Sequence, residues 1–173
     1  ALQDFMFRPE IIENNTIFVV GCGHTGTTLM AAKMGQHSKV LAIGKESNVF
    51  IPYKCSLYMS SRILSEVVDV AIYNGKTSVL EKTPKHLYFI DRIQKVAPDC
   101  KIIAMTRNPL DTVSSLYKRF DDLELCVERW INDNTRVLSE VKKGRVMRVR
   151  YEDLTAFPEK TFHDVCKFTG LSF

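Results

Sequence analysis

The chain has 173 residues, the length of one domain, and its 45% apolar composition with charges of both signs is typical of a folded protein, not a disordered one. Its formal net charge of +4 favours an anionic ligand but is too small for a nucleic-acid-binding protein. The five cysteines are scattered without C-x-x-C or Cys/His spacing, so the sequence predicts neither a zinc site nor a disulfide framework.

The N-terminal segment ALQDFMFRPE lacks the pattern of a signal peptide. No apolar run in the sequence approaches the roughly 20 residues that a membrane-spanning helix requires. We therefore expect a cytoplasmic protein without a transmembrane segment.

Short β-branched segments alternate with longer helical patterns along the chain, which is typical of βαβ units. The predicted strands are residues 17–20, 40–43, 79–81, 101–106 and 146–151. The predicted helices are residues 26–36, 59–73, 85–96, 109–119, 121–143 and 158–169. This order predicts an α/β fold, a P-loop-like three-layer α/β/α arrangement with a central, mostly parallel sheet of about five strands.

The longest predicted helix carries apolar residues at helical spacing. These residues are Leu123, Val127, Trp130, Val137, Leu138 and Val141. We expect this stripe to pack rather than to take part in chemistry, and we expect Gly144 to end the helix.

The segment GCGHTGTT, residues 21–28, joins the first predicted strand to the first predicted helix. Gly21 and Gly26 keep the spacing of the phosphate-binding motif G-x-x-x-x-G-K-[ST], but Thr27 stands where that motif has lysine. A glycine-bearing turn between a strand and a helix directs backbone N–H groups at one point, and the helix dipole adds to their attraction for an anion. The segment therefore predicts an anion site, with an ordinary glycine-rich turn as the alternative.

The segment RNPLDTVSS predicts a second anion site. Arg107 directly follows the fourth predicted strand, at the position where nucleotide triphosphatases place an aspartate that helps to hold Mg²⁺. An arginine there repels a metal ion and attracts a phosphate, which favours a metal-free anion site. Asn108 is the predicted N-cap of the next helix and Pro109 its first residue. A plain capped helix with a surface arginine is the alternative.

Two charged residues follow other strands of the predicted sheet. Glu46 lies in GKESNVF, just after the second strand, and Lys82 lies in LEKTPKHL, at the end of the third. Active-site loops of open α/β sheets lie at this carboxyl edge. Either residue alone could be a solvated loop residue, but together with the two anion sites they predict a functional site.

These segments together resemble the sulfotransferases that use 3′-phosphoadenosine 5′-phosphosulfate (PAPS). GCGHTGTTLM resembles the family's 5′-phosphosulfate loop, usually G-x-P-[KR]-S-G-T-T-L, and RNPLDTVSS resembles its 3′-phosphate motif. The late segment VRYEDLTAFPEKTFHDVCKFTGL resembles the strand–helix element that places a tyrosine beside the adenine. The resemblance implies that the donor is bound by Gly23, His24, Thr25, Gly26, Thr27, Thr28, Arg107, Ser115 and Tyr151.

Two further matches narrow the resemblance to the carbohydrate and tyrosylprotein branches. GKESNVF is similar to a segment whose glutamate is the catalytic base, which implies that role for Glu46. EKTPKHLYF is similar to E-K-[ST]-P-x-Y-F of the carbohydrate group, which implies that Lys82 contacts the leaving phosphate. The cytosolic branch has a histidine base two residues after that lysine, where this chain has Pro84. His24 stands where the family usually has Lys or Arg, and we assign it to the catalytic groups with Glu46 and Lys82.

The resemblance implies metal-free, in-line transfer of the sulfuryl group from PAPS to an acceptor hydroxyl, with adenosine 3′,5′-bisphosphate (PAP) as product. The acceptor could be a carbohydrate, a peptidyl tyrosine or a small alcohol. Family members generally continue into a basic C-terminal segment, whereas this sequence ends at GLSF, so we expect one domain over residues 1–173 that lacks it. Two alternatives remain open, a small P-loop kinase that uses ATP and Mg²⁺, and a non-catalytic nucleotide-binding protein.

Overall fold

The structure, a computed structural model, describes residues 10–13 and 15–173. Residues 1–9, on which the expectation about a signal peptide depends, lie outside the described residues. Within the described residues, five strands form a single parallel sheet in the order β2-β3-β1-β4-β5. They are β1 (Asn15–Gly21), β2 (Val40–Ala42), β3 (Ser78–Lys82), β4 (Lys101–Thr106) and β5 (Met147–Arg150).

Seven α-helices and one 3₁₀-helix connect and follow these strands in the described part of the chain. The α-helices are α1 (Thr27–Met34), α2 (Leu57–Tyr73), α3 (Ile90–Val96), α4 (Pro109–Phe120), α5 (Leu123–Lys142), α6 (Tyr151–Ala156) and α7 (Pro158–Thr169). The 3₁₀-helix, Pro84–Phe89, directly precedes α3. Within the described ranges, none of the helices combines the length and the apolar composition that crossing a bilayer requires.

Helices cover both faces of the sheet because successive strand residues point to opposite sides. In β1, Phe18 and Val20 pack with apolar residues of α2, α3 and α5, whereas Ile17 and Val19 pack with residues of α1, α6 and α7. The predicted three-layer α/β/α fold is therefore confirmed.

Two predicted elements differ from the structure. The strand predicted over residues 146–151 ends at Arg150, and Tyr151 instead begins helix α6, which the sequence did not predict. The helix predicted over residues 85–96 is a 3₁₀-helix until Phe89 and an α-helix afterwards. The tight first turn, in which the His86 N–H donates to the Thr83 carbonyl, brings the His86 ring against a buried carboxylate of β3.

The prediction that the apolar stripe of the longest helix packs is wrong for most of its members. Leu123, Val127, Leu138 and Val141 are exposed, while the buried residues of α5 are Cys126, Asp133, Val137 and Glu140. Glu140 is fully buried, and its carboxylate pairs with Arg136, Lys143 and Arg145. The inward face of α5 carries charged residues that are paired with other charges. The positions of the apolar residues alone therefore do not show which face of the helix is buried.

The register of the sheet brings the loops after β1, β3 and β4 to the same edge. Gly21 at the end of β1 pairs with Met105 near the end of β4, and Val19 pairs with Lys82 at the end of β3. A Cβ atom at Gly21 would lie 2.5 Å from the Met105 carbonyl oxygen, so this close approach requires glycine.

Candidate active site

The phosphate loop, residues 21–26, connects β1 to α1 and exposes the start of that helix. Its backbone is left-handed at His24 (φ 68°) and at Gly26 (φ 89°). Gly26 is the N-cap of α1 and contributes no side-chain hydrogen bond, and the first turn of the helix contains no acidic residue. The N–H groups of Thr27 and Thr28 therefore remain available to an anion at the positive end of the helix dipole.

The Thr25 hydroxyl and the ring of Tyr151 restrict the shape of the phosphate loop. The buried Thr25 hydroxyl donates to the Cys22 carbonyl at 2.7 Å and to the Met105 carbonyl at 3.3 Å. At Gly26, a Cβ atom would lie 2.4 Å from Cδ2 of Tyr151. Thr25 can therefore serve an anion only through its backbone N–H, because its hydroxyl is already bonded within the loop.

Arg107 lies beside the phosphate loop, at the end of β4. Its guanidinium stacks over the Tyr151 ring at 4.4 Å, and Nη1 donates to the His24 carbonyl at 3.3 Å. The buried Nε of Arg107 has no hydrogen-bond partner among the described residues. Asn108 caps α4 by accepting from the Leu110 N–H at 2.9 Å, as the sequence predicted. The Arg107 guanidinium also lies 3.9 Å from the Asp111 carboxylate. A guanidinium whose Nε has no partner, next to a capped helix, fits an anionic ligand.

The structure brings His24 and Ser115 together, although the sequence assigned them to different phosphates. Nδ1 of His24 lies 2.8 Å from the Ser115 hydroxyl oxygen. Burial, together with the positive charges of Arg119, Arg129 and Arg107, holds the pKa of His24 below its ordinary value. The imidazole is therefore mainly neutral near pH 7, and fixed positive charge at the loop comes from the surrounding arginines.

Glu46 and Lys82 form an ion pair at the same sheet edge. Nζ of Lys82 lies 2.9 Å from Oε1 of Glu46, and the lysine side chain is 14% exposed while the glutamate side chain is 47% exposed. Glu46 belongs to the loop after β2, which we call the Glu46 loop (residues 44–50), and Lys82 is the last residue of β3. The pair leaves one carboxylate oxygen and two ammonium protons for other partners.

A cavity of about 410 Å³ joins the phosphate loop to the Glu46 loop. The residues that line this cavity are Gly23, His24, Thr27, Thr28, Glu46, Asn48, Pro84, Lys85, Arg119, Phe120 and Arg129. Lys82, Ser115, Arg107 and Tyr151 lie outside its lining. Lys82 is connected to the cavity through Glu46, Ser115 and Arg107 through His24, and Tyr151 through Arg107. The predicted site residues therefore form one continuous site with two parts, which are the cavity and the adjoining group of Arg107, Ser115 and Tyr151.

The sequence did not identify Lys85, Arg119 and Arg129, the three further cations of the cavity. Arg119 follows Ser115 by four residues on α4, so helical spacing from a predicted site residue was an available signal. Arg129 comes from α5, and its guanidinium nitrogen would lie 3.1 Å from a Cβ atom at Gly23. No sequence spacing relates it to the phosphate loop. These cations and the start of α1 can hold an anion beside a single carboxylate.

Two protein-tyrosine sulfotransferases are among the known proteins that this chain resembles. Chicken protein-tyrosine sulfotransferase 2 is 25% identical over 196 residues, which covers 91% of this chain and 51% of that protein. Protein-tyrosine sulfotransferase of Drosophila melanogaster is 27% identical over 188 residues, which covers 88% of this chain and 37% of that protein. The chain thus spans about half, or less, of the length of these curated relatives.

Two solved structures share the fold. The sulfotransferase domain of the Synechococcus olefin synthase superposes with a TM-score of 0.72 at 16% identity and covers 96% of this chain and 77% of that one. A mouse sulfotransferase complexed with PAP superposes with a TM-score of 0.64 at 17% identity and covers 95% of this chain and 61% of that one. The sulfotransferase family model matches residues 52–173, which is more than half of the sequence, and the chain therefore belongs to the sulfotransferase family.

Proposed function

We propose that this protein transfers the sulfuryl group from PAPS to an acceptor hydroxyl. The observation that carries the proposal is the Glu46–Lys82 ion pair of 2.9 Å, with Glu46 in the wall of a cavity that also contains the start of α1. Such a site combines a proton acceptor, a cation and an anion-binding helix terminus. The mouse sulfotransferase of the same fold holds PAP, which supports the choice of donor.

The donor's two anionic ends correspond to the two parts of the site. We assign the 5′-phosphosulfate to the backbone N–H groups of residues 24–28, which form the left-handed loop and the uncapped start of α1. We assign the 3′-phosphate to Arg107, whose buried Nε has no partner within the described residues, and to Ser115. Tyr151 is assigned to the adenine side because its ring already stacks against the Arg107 guanidinium.

The proposed reaction is an in-line displacement at sulfur. The acceptor oxygen forms a bond to sulfur as its proton passes to Glu46, and the bond from sulfur to the phosphate oxygen breaks with its electron pair on that oxygen. Lys82 donates one N–H to Glu46 and retains two more for the leaving oxygen. A positioned base typically contributes about 10²–10⁴-fold. The step uses only these side chains and the backbone donors of the loop.

A peptidyl tyrosine is the acceptor that we place first. The curated relatives in chicken and fruit fly are protein-tyrosine sulfotransferases, although the chain spans only part of each. The half-exposed Glu46 lies at a cavity open enough for a side chain to enter. Carbohydrate and small alcohol hydroxyls require the same base and are the other acceptors to test.

A binding measurement separates this proposal from a kinase. Isothermal titration with PAP and with ATP–Mg²⁺ should give a clear preference for PAP, because Thr27 occupies the lysine position of the ATP-binding motif. A preference for ATP–Mg²⁺ would contradict the proposed donor. Equal and weak binding of both ligands would contradict it as well.

A transfer measurement separates an enzyme from a binding protein. The chain is incubated with ³⁵S-labelled PAPS and a panel of tyrosine peptides, oligosaccharides and small alcohols, and labelled product is separated from donor. We expect transfer to one class of hydroxyl and a loss of about 10²-fold or more in Glu46→Gln. PAP binding without transfer to any member of the panel would contradict the proposed enzyme and support a nucleotide-binding protein.

A further inference from the structure

A carboxylate and an imidazole lie buried directly behind the Glu46–Lys82 pair. Glu81, the residue before Lys82 in β3, is 1% exposed, and His86 of the 3₁₀-helix is fully buried. Neither residue lines the cavity. Burying two ionisable groups together is costly unless hydrogen bonds satisfy them, so their partners indicate what they do.

Glu81 accepts four hydrogen bonds. Its Oε1 accepts from the Ser47 hydroxyl at 2.7 Å, from the Ser47 N–H at 3.3 Å and from the Thr83 hydroxyl at 2.6 Å. Its Oε2 lies 2.9 Å from Nδ1 of His86. Burial opposes ionisation of Glu81, but the hydrogen bond and the electrostatic effect of His86, together with the hydrogen bonds from Thr83 and Ser47, outweigh it and hold the pKa of this carboxyl below its ordinary value.

The hydrogen bonds also assign the protons of His86. Its Nε2 accepts from the Phe50 N–H at 3.2 Å, so this nitrogen carries no proton. In the neutral ring the proton is then on Nδ1, which donates it to Glu81. The chain of bonds runs in one direction, from Phe50 through His86 to an ionised Glu81.

These bonds hold the Glu46 loop from two sides. Ser47, the neighbour of Glu46, is bonded to Glu81 directly, and Phe50 is bonded to it through His86. Between them, Asn48 has a left-handed backbone (φ 55°), and its N–H donates to the Thr83 hydroxyl at 3.3 Å. Asparagine tolerates this left-handed conformation better than most residues, and the hydrogen bond to Thr83 holds it in place here.

We propose that Glu81 is a positioning residue for the proton-accepting Glu46. One buried carboxylate fixes the loop that carries Glu46, so it sets the position of Glu46 relative to Lys82. This inference rests on the proposed function for the role of Glu46, but the anchoring of the loop can be measured without any reaction.

Glu81→Gln is the direct test because glutamine keeps the shape and one acceptor oxygen. Either orientation of the amide places its N–H₂ group against a donor, which is the protonated Nδ1 of His86 in one orientation and the Ser47 N–H in the other. We expect kcat to fall by about tenfold to a hundredfold. The Kd for PAP should stay within about threefold, because the phosphate loop makes no bond to Glu81.

Glu140→Gln is the matched control for a purely structural role. Glu140 is also a fully buried, paired carboxylate, but it lies in α5 outside the cavity lining. The Glu140→Gln substitution should lower thermal stability with no change in kcat per folded molecule. Equal losses of kcat in Glu81→Gln and Glu140→Gln would overturn the proposal.

Ser47→Ala provides a second variant in case Glu81→Gln does not fold. It removes the hydroxyl contact on the loop side and keeps Glu81, Thr83 and His86 together. We expect kcat to fall by about threefold to tenfold, with recovery in Ser47→Thr, which restores the hydroxyl. Wild-type kcat in Ser47→Ala would overturn the proposal.

Hydrogen exchange in the free protein separates this inference from the proposed function. In Glu81→Gln, or in Ser47→Ala if the first variant does not fold, the amides of residues 47, 48 and 50 should exchange faster by about tenfold or more, while those of Thr27 and Thr28 remain unchanged. Unchanged exchange at all three loop amides would overturn the anchoring, whatever acceptor or donor the protein uses. Faster exchange without any sulfuryl transfer would leave the anchoring in place and contradict the proposed function alone.

Discussion

The phosphate loop and the Glu46 loop lie at the same edge of the sheet, but they are held in different ways. The phosphate loop is fixed by its own glycines, by the Thr25 hydroxyl and by the neighbouring strand β4. The Glu46 loop is fixed by Glu81, Thr83 and His86, which come more than thirty residues later in the chain. The first loop takes its shape from its glycines and from bonds to backbone carbonyls, and the second depends on a buried network of polar side chains.

This difference implies that the two loops have separate functional roles, which the variants can test. Backbone donors and Arg107 in the first region should govern how tightly the donor is held. Glu46 and its supporting residues in the second region should govern how fast the sulfuryl group is transferred. Substitutions in the two regions should therefore separate donor affinity from turnover.

The largest expected effect is that of Glu46→Gln. Glutamine keeps the size of the side chain and a hydrogen-bond acceptor for Lys82, but it cannot take up the acceptor's proton. We expect kcat to fall by about 10²–10⁴-fold and the Kd for PAP to change by less than about threefold. Glu66→Gln, at an exposed glutamate of α2, is the control and should behave like wild type. Turnover near the wild-type value in Glu46→Gln would contradict its assignment as the base.

Arg107→Ala should weaken donor binding, whereas Glu46→Gln slows turnover. It removes a charged donor from the phosphate side, and the loss of such a contact costs about 1.5–3 kcal/mol, or roughly 10–150-fold in the Kd for PAP. Adenosine 5′-phosphosulfate, which has no 3′-phosphate, should bind with nearly unchanged affinity. Isothermal titration of both ligands, with the surface variant Arg62→Ala as control, checks this. Equal losses for the two ligands would show that Arg107 does not bind the 3′-phosphate.

Gly26→Ala should disturb the shape of the phosphate loop. An alanine at φ 89° is strained, and its Cβ would lie 2.4 Å from the Tyr151 ring. We expect the free energy of unfolding to fall by about 2 kcal/mol and PAP to bind more weakly. The control is Gly75→Ala, where φ is also positive but a Cβ atom would meet nothing within 4 Å. Similar stability losses in both variants would mean that the Tyr151 contact does not restrict Gly26.

The smallest effect concerns His24. Burial and the nearby Arg119, Arg129 and Arg107 hold the pKa of His24 below its ordinary value in the free protein. A bound dianion favours the protonated ring and should raise that pKa, so binding takes up a proton and the affinity for PAP falls as pH rises from about 6 to 8. His24→Arg should flatten this dependence, with an effect of about threefold to tenfold at pH 8. Parallel affinity curves for wild type and His24→Arg would show that His24 does not contact the donor.

The contrast between the two loops also explains what could be predicted from the sequence. The strand–loop–helix unit around Gly26 could be predicted from the sequence because glycine spacing and β-branched residues are local signals. The Asn108 cap is visible for the same reason. The network behind Glu46 was not predicted, because pairing Glu81 with Ser47 requires the register of β2 and β3.

Helix surfaces account for the other differences. Arg129 looks like an ordinary solvated residue in α5, and only the packing of that helix over the phosphate loop brings it to Gly23. The apolar stripe of α5 misled the prediction because Asp133 and Glu140 face inward. Asp133 pairs with Arg129 and accepts from the Tyr88 hydroxyl, and Glu140 pairs with Arg136 and Arg145. Helix α6 was missed because its first residue, Tyr151, was included in the strand predicted over residues 146–151 and no residue caps the helix through a side chain.

The separate roles of the two loops are tested most directly by turnover at saturating PAPS. This is measured for Glu46→Gln and Arg107→Ala with the same acceptor. If Arg107 only holds the donor, its variant should recover a kcat within about threefold of wild type once enough PAPS is supplied. Glu46→Gln should remain slower by about 10²-fold or more at any PAPS concentration. Recovery in both variants, or in neither, would contradict the assignment of donor binding and proton transfer to separate loops.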